Sequence, residues 1–183
     1  MRHCASVLSF VACFLELMVL AGPSQRQSGT PAGRLPFPEG YQDRYQILCR
    51  FDKAGKKETV TVYGNDSAAS VSSVGELPYP YGSVIVMETS SAMSDSQGKV
   101  VLDKTGHYRK DKALGLHVMG KERGFGESYR QDRTGEWEYV EYRPDGTYIT
   151  PPEKSQVCAQ CHLKAGRDKD FIYGGRFRPD GRK

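Results

Sequence analysis

The sequence has few cysteines, and apart from its first segment it has no long apolar run. Of 5 cysteines in 183 residues, Cys4 and Cys13 fall at the N-terminus, so three remain for the rest of the chain. An odd number of three does not predict a disulfide framework. After the apolar segment at residues 5–22, no run approaches the ~20 residues that a membrane-spanning helix needs. The folded part is therefore expected to rely on a hydrophobic core.

The chain also lacks a continuous surplus of one charge. Its 26 basic and 22 acidic residues give a formal net charge of +4. The segment from Lys164 to the last residue holds seven Lys or Arg and three Asp, so it accounts for the whole surplus. A neutral body with a basic tail does not form the cationic face that nucleic-acid binding needs. We predict no nucleic-acid partner.

The N-terminus has the layout of a secretory signal peptide. Arg2 precedes the apolar run at residues 5–22, and the sequence becomes polar from Pro23 onwards. We therefore expect residues 1–24 to be a cleaved signal and the mature protein to be soluble and periplasmic. An uncleaved membrane anchor is the alternative. Residues 25–36 are rich in Pro, Gly, Ser and Gln, which predicts a flexible leader.

Short segments with alternating polarity predict an α+β domain over residues 37–175, with a predominantly antiparallel β-sheet and a few short helices. A basic tail follows at residues 176–183. In the best strand, the period of two places Ile85 and Met87 on the same face. The predicted strands are 45–51, 59–63, 83–89, 114–119, 136–142 and 147–150, and the predicted helices are 65–74 and 153–162, with a loop at 90–98.

A C-x-x-C-H motif near the C-terminus carries the chemistry. Cys158 and Cys161 are three residues apart, so on a helix they share one face and each thiol can add to a vinyl group of one porphyrin. The adjacent His162 can then bind the iron as proximal ligand. The motif predicts one covalently attached haem c.

A zinc site and a thioredoxin-like redox pair use similar cysteine spacings. Zinc needs four ligands, and beyond the motif the mature chain offers only Cys49, His107 and His117, at no paired spacing. A redox pair usually follows a strand of a βαβ unit, whereas this motif ends an antiparallel domain. An exported chain is where haem attachment takes place, and this setting favours haem.

The motif does not say which residue lies on the other side of the iron. Met87, Met119 and His117 could each reach a haem from a strand face. From the residues alone, core packing is the favoured role for Met87 and Met119, whereas for His117 the two roles are balanced. The other candidates are expected to be structural or solvated: Trp137 and Tyr139 in the core, Cys49 as a small buried apolar side chain, and His107 in solvent.

The order of these features resembles the cytochrome P-460 family, which includes the cytochromes c-prime-beta. Phe-Pro-Glu-Gly-Tyr at residues 37–41, Gly-Ser-Val-Ile-Val at 82–86 and Gly-Glu-Trp-Glu-Tyr at 135–139 precede the late C-x-x-C-H. The resemblance covers about residues 37–173. It implies an exported, mostly β, commonly homodimeric c-type cytochrome whose iron has a proximal His and an open distal position for small nitrogen ligands.

The resemblance also implies roles for residues on the strands. In hydroxylamine-oxidising members, a strand lysine cross-links to the porphyrin edge and a distal carboxylate handles protons. Here Met87 falls at the lysine position, where no such cross-link can form, and His117 falls at the carboxylate position. Both are therefore expected to face the haem. His117 would donate a hydrogen bond or transfer a proton, while Ile85 and Met87 would shape an apolar pocket.

Two functions follow from these expectations. In the first, a five-coordinate iron binds nitric oxide or hydroxylamine, or turns it over as an oxidoreductase. In the second, Met87, Met119 or His117 closes the sixth position, and the protein carries electrons to or from a redox partner protein that the basic tail helps to steer. The β-rich layout favours the first by analogy, and a structural or sensory haem domain is a third possibility.

Overall fold

A computed structural model describes residues 35–173. Within this range no helix combines the length and apolar character that a membrane crossing requires. The predicted signal peptide, most of the predicted leader and the predicted basic tail lie outside the described residues. The helices are α1 (Tyr41–Arg44), α2 (Asp66–Ala69) and α3 (Gln156–Leu163), and the strands are β1 (Gln46–Lys53), β2 (Glu58–Gly64), β3 (Val84–Ala92), β4 (Lys110–Lys121), β5 (Trp137–Tyr142) and β6 (Tyr148–Thr150).

The six strands form one antiparallel sheet in which the order in space equals the order in sequence. Each strand pairs with the strand that follows it, so no crossover helix is needed. Single-turn 3-10 helices and the three short α-helices occupy the connections. The predicted α+β class with a mostly β architecture is confirmed.

Three predicted boundaries in the first four strands and their connections were wrong. β3 continues to Ala92 through the predicted loop, because the polar side chain of Ser91 bonds to β4, where its hydroxyl accepts from the amide of Lys112 at 3.1 Å. β4 begins at Lys110 inside a charged stretch that alternation did not mark as a strand. The predicted helix at 65–74 stops at Ala69 after one turn, although Asn65 caps it as expected.

The strand alternation divides the side chains of the sheet between two faces, as predicted. The first, called the motif face below, carries two rows of cross-strand neighbours: Ile85, Met119 and Tyr139, and next to them Met87, His117 and Glu141. The opposite face buries an apolar cluster of Leu35, Tyr41, Tyr63, Val86, Leu116, Val118, Val140 and Tyr142. Leu35, the first residue that the structure describes, is therefore part of this core. Its carbonyl accepts a hydrogen bond from the Tyr142 hydroxyl at 2.8 Å.

A buried carboxylate organises the opposite face. Glu88 is 1% exposed, and its oxygens accept hydrogen bonds from Lys110 at 2.5 Å, Ser90 and Gln42 at 2.8 Å, and the Tyr41 hydroxyl. Burial by itself would raise the pKa of Glu88, but these four donors outweigh it and hold the pKa below its ordinary value. The charged form is therefore the stabilising one.

We predict that the unfolding free energy of Glu88→Gln depends less on pH in the acidic range than that of the wild type. Because the pKa of Glu88 is lower in the folded state, its contribution is present above the ordinary glutamate pKa of about 4.3 and is lost as the pH falls through that value and below it. Urea unfolding at a series of pH values should show a smaller loss of unfolding free energy between about pH 6 and about pH 3 in the variant than in the wild type.

A matched control is Glu58→Gln, which removes a partly exposed ion pair with Lys53 at 3.6 Å. Such pairs contribute little to stability, so this variant should keep the pH profile of the wild type. Identical profiles for Glu88→Gln and the wild type would contradict the prediction.

Candidate functional site

Helix α3 carries the C-x-x-C-H motif and is fixed at its start by polar side chains. The Ser155 hydroxyl lies 2.7 Å from the Pro152 carbonyl and 2.8 Å from the Tyr129 hydroxyl. Gln156 donates to Asp132 at 2.6 Å. The helix begins three residues later than predicted, because a 3-10 turn at Pro152–Lys154 occupies its first part. The motif is thereby held against β5 and the turn that precedes it.

Neither thiol of the motif forms a disulfide, and Cys161 Sγ lies 3.6 Å from the Tyr173 hydroxyl. Cys161 is exposed, whereas Cys158 is partly buried against the core under the motif face. Burial, and after it the negative charge of Glu141, raises the pKa of Cys158 to about 12. In this structure the Cys158 side chain is therefore a protonated thiol at neutral pH, with no protein sulfur as a partner.

The imidazole of His162 has one nitrogen bound and one free. Its Nδ1 lies 2.7 Å from the carbonyl oxygen of Phe171. A carbonyl only accepts, so Nδ1 carries the proton and Nε2 holds the lone pair. Burial lowers the pKa of His162, the bond to Phe171 opposes this, and nearby His117 adds to the lowering. The ring is thus a neutral imidazole of fixed tautomer, which is the form that binds a metal ion.

Ring contacts hold this imidazole in place. It stacks on Tyr139 with ring centroids 4.5 Å apart and an angle of 30° between the planes, and the edge of Tyr173 meets it at 5.6 Å. The Tyr139 hydroxyl shares a buried hydrogen bond with Thr134 at 2.8 Å. His162 therefore rests against the first row of the motif face.

The second row of that face carries another histidine of defined orientation. His117 lies between Met87 and Glu141, its cross-strand neighbours, and its Nδ1 is 2.6 Å from a Glu141 carboxylate oxygen. The other carboxylate oxygen accepts from the Thr150 hydroxyl. The side chain of His117 is 52% exposed, and its Nε2 is not engaged by this pair. His117 and Glu141 thus form a polar pair on the motif face, called the dyad below.

The structure places the predicted site residues on one side of the sheet. Ile85 is buried, Met87 is partly buried and His117 is exposed. His162 stacks on Tyr139, which lies two residues before Glu141 on the same face of β5, so the motif packs next to the dyad. The second row therefore forms a partly open strip next to two free thiols and a free Nε2, and these are the groups that a covalently attached haem requires.

Several side chains differ from the sequence expectations. His107 was expected in solvent, but its Nδ1 lies 3.1 Å from a carboxylate oxygen of Asp52. Cys49 is only partly buried, and its register with Val62 places it towards the motif face. Trp137 and Tyr139 are buried, as predicted. Within residues 35–173 no three metal-ligating side chains converge, so nothing there completes a zinc site.

Sequence reasoning missed Glu141 and Phe171. Glu141 belongs to an alternating strand, and only the register of β4 with β5 shows that it lies opposite His117. Phe171 acts through its backbone carbonyl, which leaves no signature in the side-chain pattern. A prediction of the register between β4 and β5 would have identified Glu141 as the neighbour of His117.

The comparison with protein families gives one match over most of the chain. The family model of cytochrome P460 matches residues 38–174, a range that includes the whole sheet, α3 and the C-x-x-C-H motif. Comparison with curated protein sequences finds no significant match.

Proposed function

Since the chain belongs to the cytochrome P460 family, whose members are haem c cytochromes, we propose that it is an exported mono-haem protein with an open distal site for a small nitrogen ligand such as nitric oxide or hydroxylamine. The observation that carries the proposal is the state of His162. Its Nδ1 is occupied by the Phe171 carbonyl at 2.7 Å, so Nε2 remains as the donor atom beside two free thiols.

The attachment chemistry belongs to α3. The thiols of Cys158 and Cys161 would each form a thioether with the porphyrin, and His162 Nε2 would bind the iron from the proximal side. When bound, the haem supplies a redox-active iron that can hold a small ligand. Tyr139 supports the imidazole by stacking, and the Phe171 carbonyl fixes its tautomer.

The distal side would be formed by the second row of the motif face. Ile85 and Met87 would present apolar surface that limits which ligands stay bound. His117 Nε2 would form a hydrogen bond with the ligand or transfer a proton, since imidazoles change protonation near neutral pH. Glu141 would hold the other ring nitrogen of His117, as it does at 2.6 Å in the structure.

The departure at Met87 limits the chemistry. A thioether has no amine, so this position cannot form the lysine cross-link of hydroxylamine-oxidising relatives. We therefore propose ligand binding, or turnover that does not need the cross-link. The alternative is electron transfer with a closed sixth position, and it is favoured by the direct pairing of Met87 with His117 on the motif face, because both side chains are common haem ligands.

We also propose a periplasmic location after cleavage near residue 24. A redox partner protein would supply or remove electrons, with the basic residues after Lys164 as a steering surface for an acidic partner. A homodimer is the assembly that the family resemblance suggests.

The first experiment tests attachment and the proximal ligand. Protein exported together with a haem-attachment system should be coloured, and its intact mass should exceed that of the polypeptide by one haem. Replacing Cys158 and Cys161 together with Ala should abolish the added mass. His162→Gly should lose the wild-type spectrum and regain it when imidazole is added. Colourless wild-type protein would refute the proposal.

The second experiment distinguishes an open from a closed distal site. We expect the ferrous protein to bind carbon monoxide at once, with a large change in the optical spectrum, because no side chain would need to dissociate first. A low-spin ferrous spectrum that carbon monoxide leaves unchanged would refute the open site and support the electron-transfer alternative.

The third experiment tests His117. We predict that His117→Ala accelerates nitric oxide dissociation about tenfold, which corresponds to the loss of one hydrogen bond of about 1.4 kcal/mol. Stopped-flow kinetics measures the rate. The matched control is His107→Ala, which also removes a histidine–carboxylate pair. His107 lies in the connection between β3 and β4 and not on the motif face. Equal rates in all three proteins would remove His117 from the distal site.

A further inference from the structure

The loop that follows α3 has an unusual backbone. After a 3-10 turn at Arg167–Lys169, Asp170 and Phe171 both have positive φ angles, 49° and 61°. Residues other than glycine seldom adopt this left-handed conformation, and two in succession persist only where the surroundings impose them. The loop folds back on itself, with the Phe171 amide donating to the Gly166 carbonyl at 2.9 Å. This conformation directs the carbonyl of Phe171 towards His162 of the motif.

A buried ion pair provides the constraint. Lys121 Nζ, at the end of β4, lies 2.7 Å from Asp170 Oδ2, and the two side chains are 8% and 9% exposed. The same carboxylate oxygen accepts the backbone N–H of Tyr79 at 3.0 Å. A buried carboxylate needs such partners, because removing one leaves a charge that the interior does not solvate. Asp170 is thereby tied to the sheet and to the segment before β3.

The next residue along the chain carries the contact to the motif. Phe171 buries its ring in the core under the motif face, and its carbonyl oxygen accepts the hydrogen bond from His162 Nδ1 at 2.7 Å. One peptide bond separates the anchored Asp170 from the residue that carries this acceptor. A shift of Asp170 would therefore change the direction of the carbonyl.

The loop has room to move if the anchor is lost. A cleft of about 330 Å³ lies beside it, and Leu77, Gly135 and Phe171 are among its lining residues. The position of the carbonyl consequently depends on a specific polar contact as well as on packing of the Phe171 ring.

We infer that Lys121 and Asp170 are positioning residues for the proximal imidazole: their ion pair directs the Phe171 carbonyl at His162 Nδ1 and thereby keeps the reduction potential of the haem iron low. A strong hydrogen bond from Nδ1 increases the electron density on the ligating nitrogen, and this favours ferric iron. The inference rests on the proposed function, in that His162 must be the iron ligand.

The test compares Lys121→Met with Asp170→Asn in the haem-loaded protein by redox titration. Positioning predicts that both variants raise the potential, because both loosen the same carbonyl. Through-space charge alone predicts opposite signs, since removing a lysine lowers the potential and removing an aspartate raises it. Asparagine tolerates the left-handed backbone and can still accept from Tyr79, so Asp170→Asn removes the ion pair without adding backbone strain at residue 170.

A second measurement reports on the hydrogen bond itself. Exchange of the His162 Nδ1 proton with solvent, followed by NMR, should be faster in both variants than in the wild type. Lys121→Arg retains the positive charge and should restore a potential close to that of the wild type. If Lys121→Met folds poorly, the exchange rate in Asp170→Asn still tests the inference, because loss of charge alone would leave the hydrogen bond to Phe171 and its exchange rate unchanged.

The matched control is Lys110→Met, which breaks the buried ion pair with Glu88 at 2.5 Å on the opposite face. It should lower stability but leave both the potential and the proton exchange unchanged. Potentials that move in opposite directions in the two test variants, or that do not move, would overturn the inference. If instead imidazole fails to rescue His162→Gly, the proposed function fails first, so the two failures are distinguishable.

Discussion

The hydrogen bond between His162 Nδ1 and the Phe171 carbonyl is the contact on which the site depends. It fixes the tautomer of a neutral imidazole, so Nε2 keeps its lone pair and can serve as a metal ligand. An imidazole in the other tautomer would present a proton where a metal needs a lone pair. The loop that supplies the carbonyl is held by a buried ion pair from the far end of β4. A contact between residues that are distant in sequence thus helps to orient the histidine of the local C-x-x-C-H motif.

The sheet divides its tasks between its two faces. The opposite face buries Glu88, which is held by four donors, together with an apolar cluster, and this combination gives the strands a fixed register. The motif face uses that register to align Met87, His117 and Glu141 in one row. Because neighbouring positions on one strand face opposite sides, Glu88 can stabilise the fold while Met87 remains partly open beside the motif.

The row beside the motif also explains how one family scaffold can carry different chemistry. A lysine at position 87 would bring an amine to the porphyrin, whereas Met87 brings an apolar thioether. Under the proposed function, His117 takes the place that the family resemblance assigns to a distal carboxylate. Glu141 on the next strand supplies a carboxylate that holds His117 at 2.6 Å.

The sequence by itself determined the local features: the strand faces of Ile85, Met87 and His117, the cap at Asn65 and the C-x-x-C-H motif from which haem attachment is proposed. Each follows from residue type and spacing within one element. The tertiary structure decided the rest: the pairing of His117 with Glu141, the ion pair of Lys121 with Asp170, and the acceptor for His162. These contacts join residues that are distant in sequence, and one of them uses only a backbone carbonyl, so no pattern of side chains along the chain could encode them.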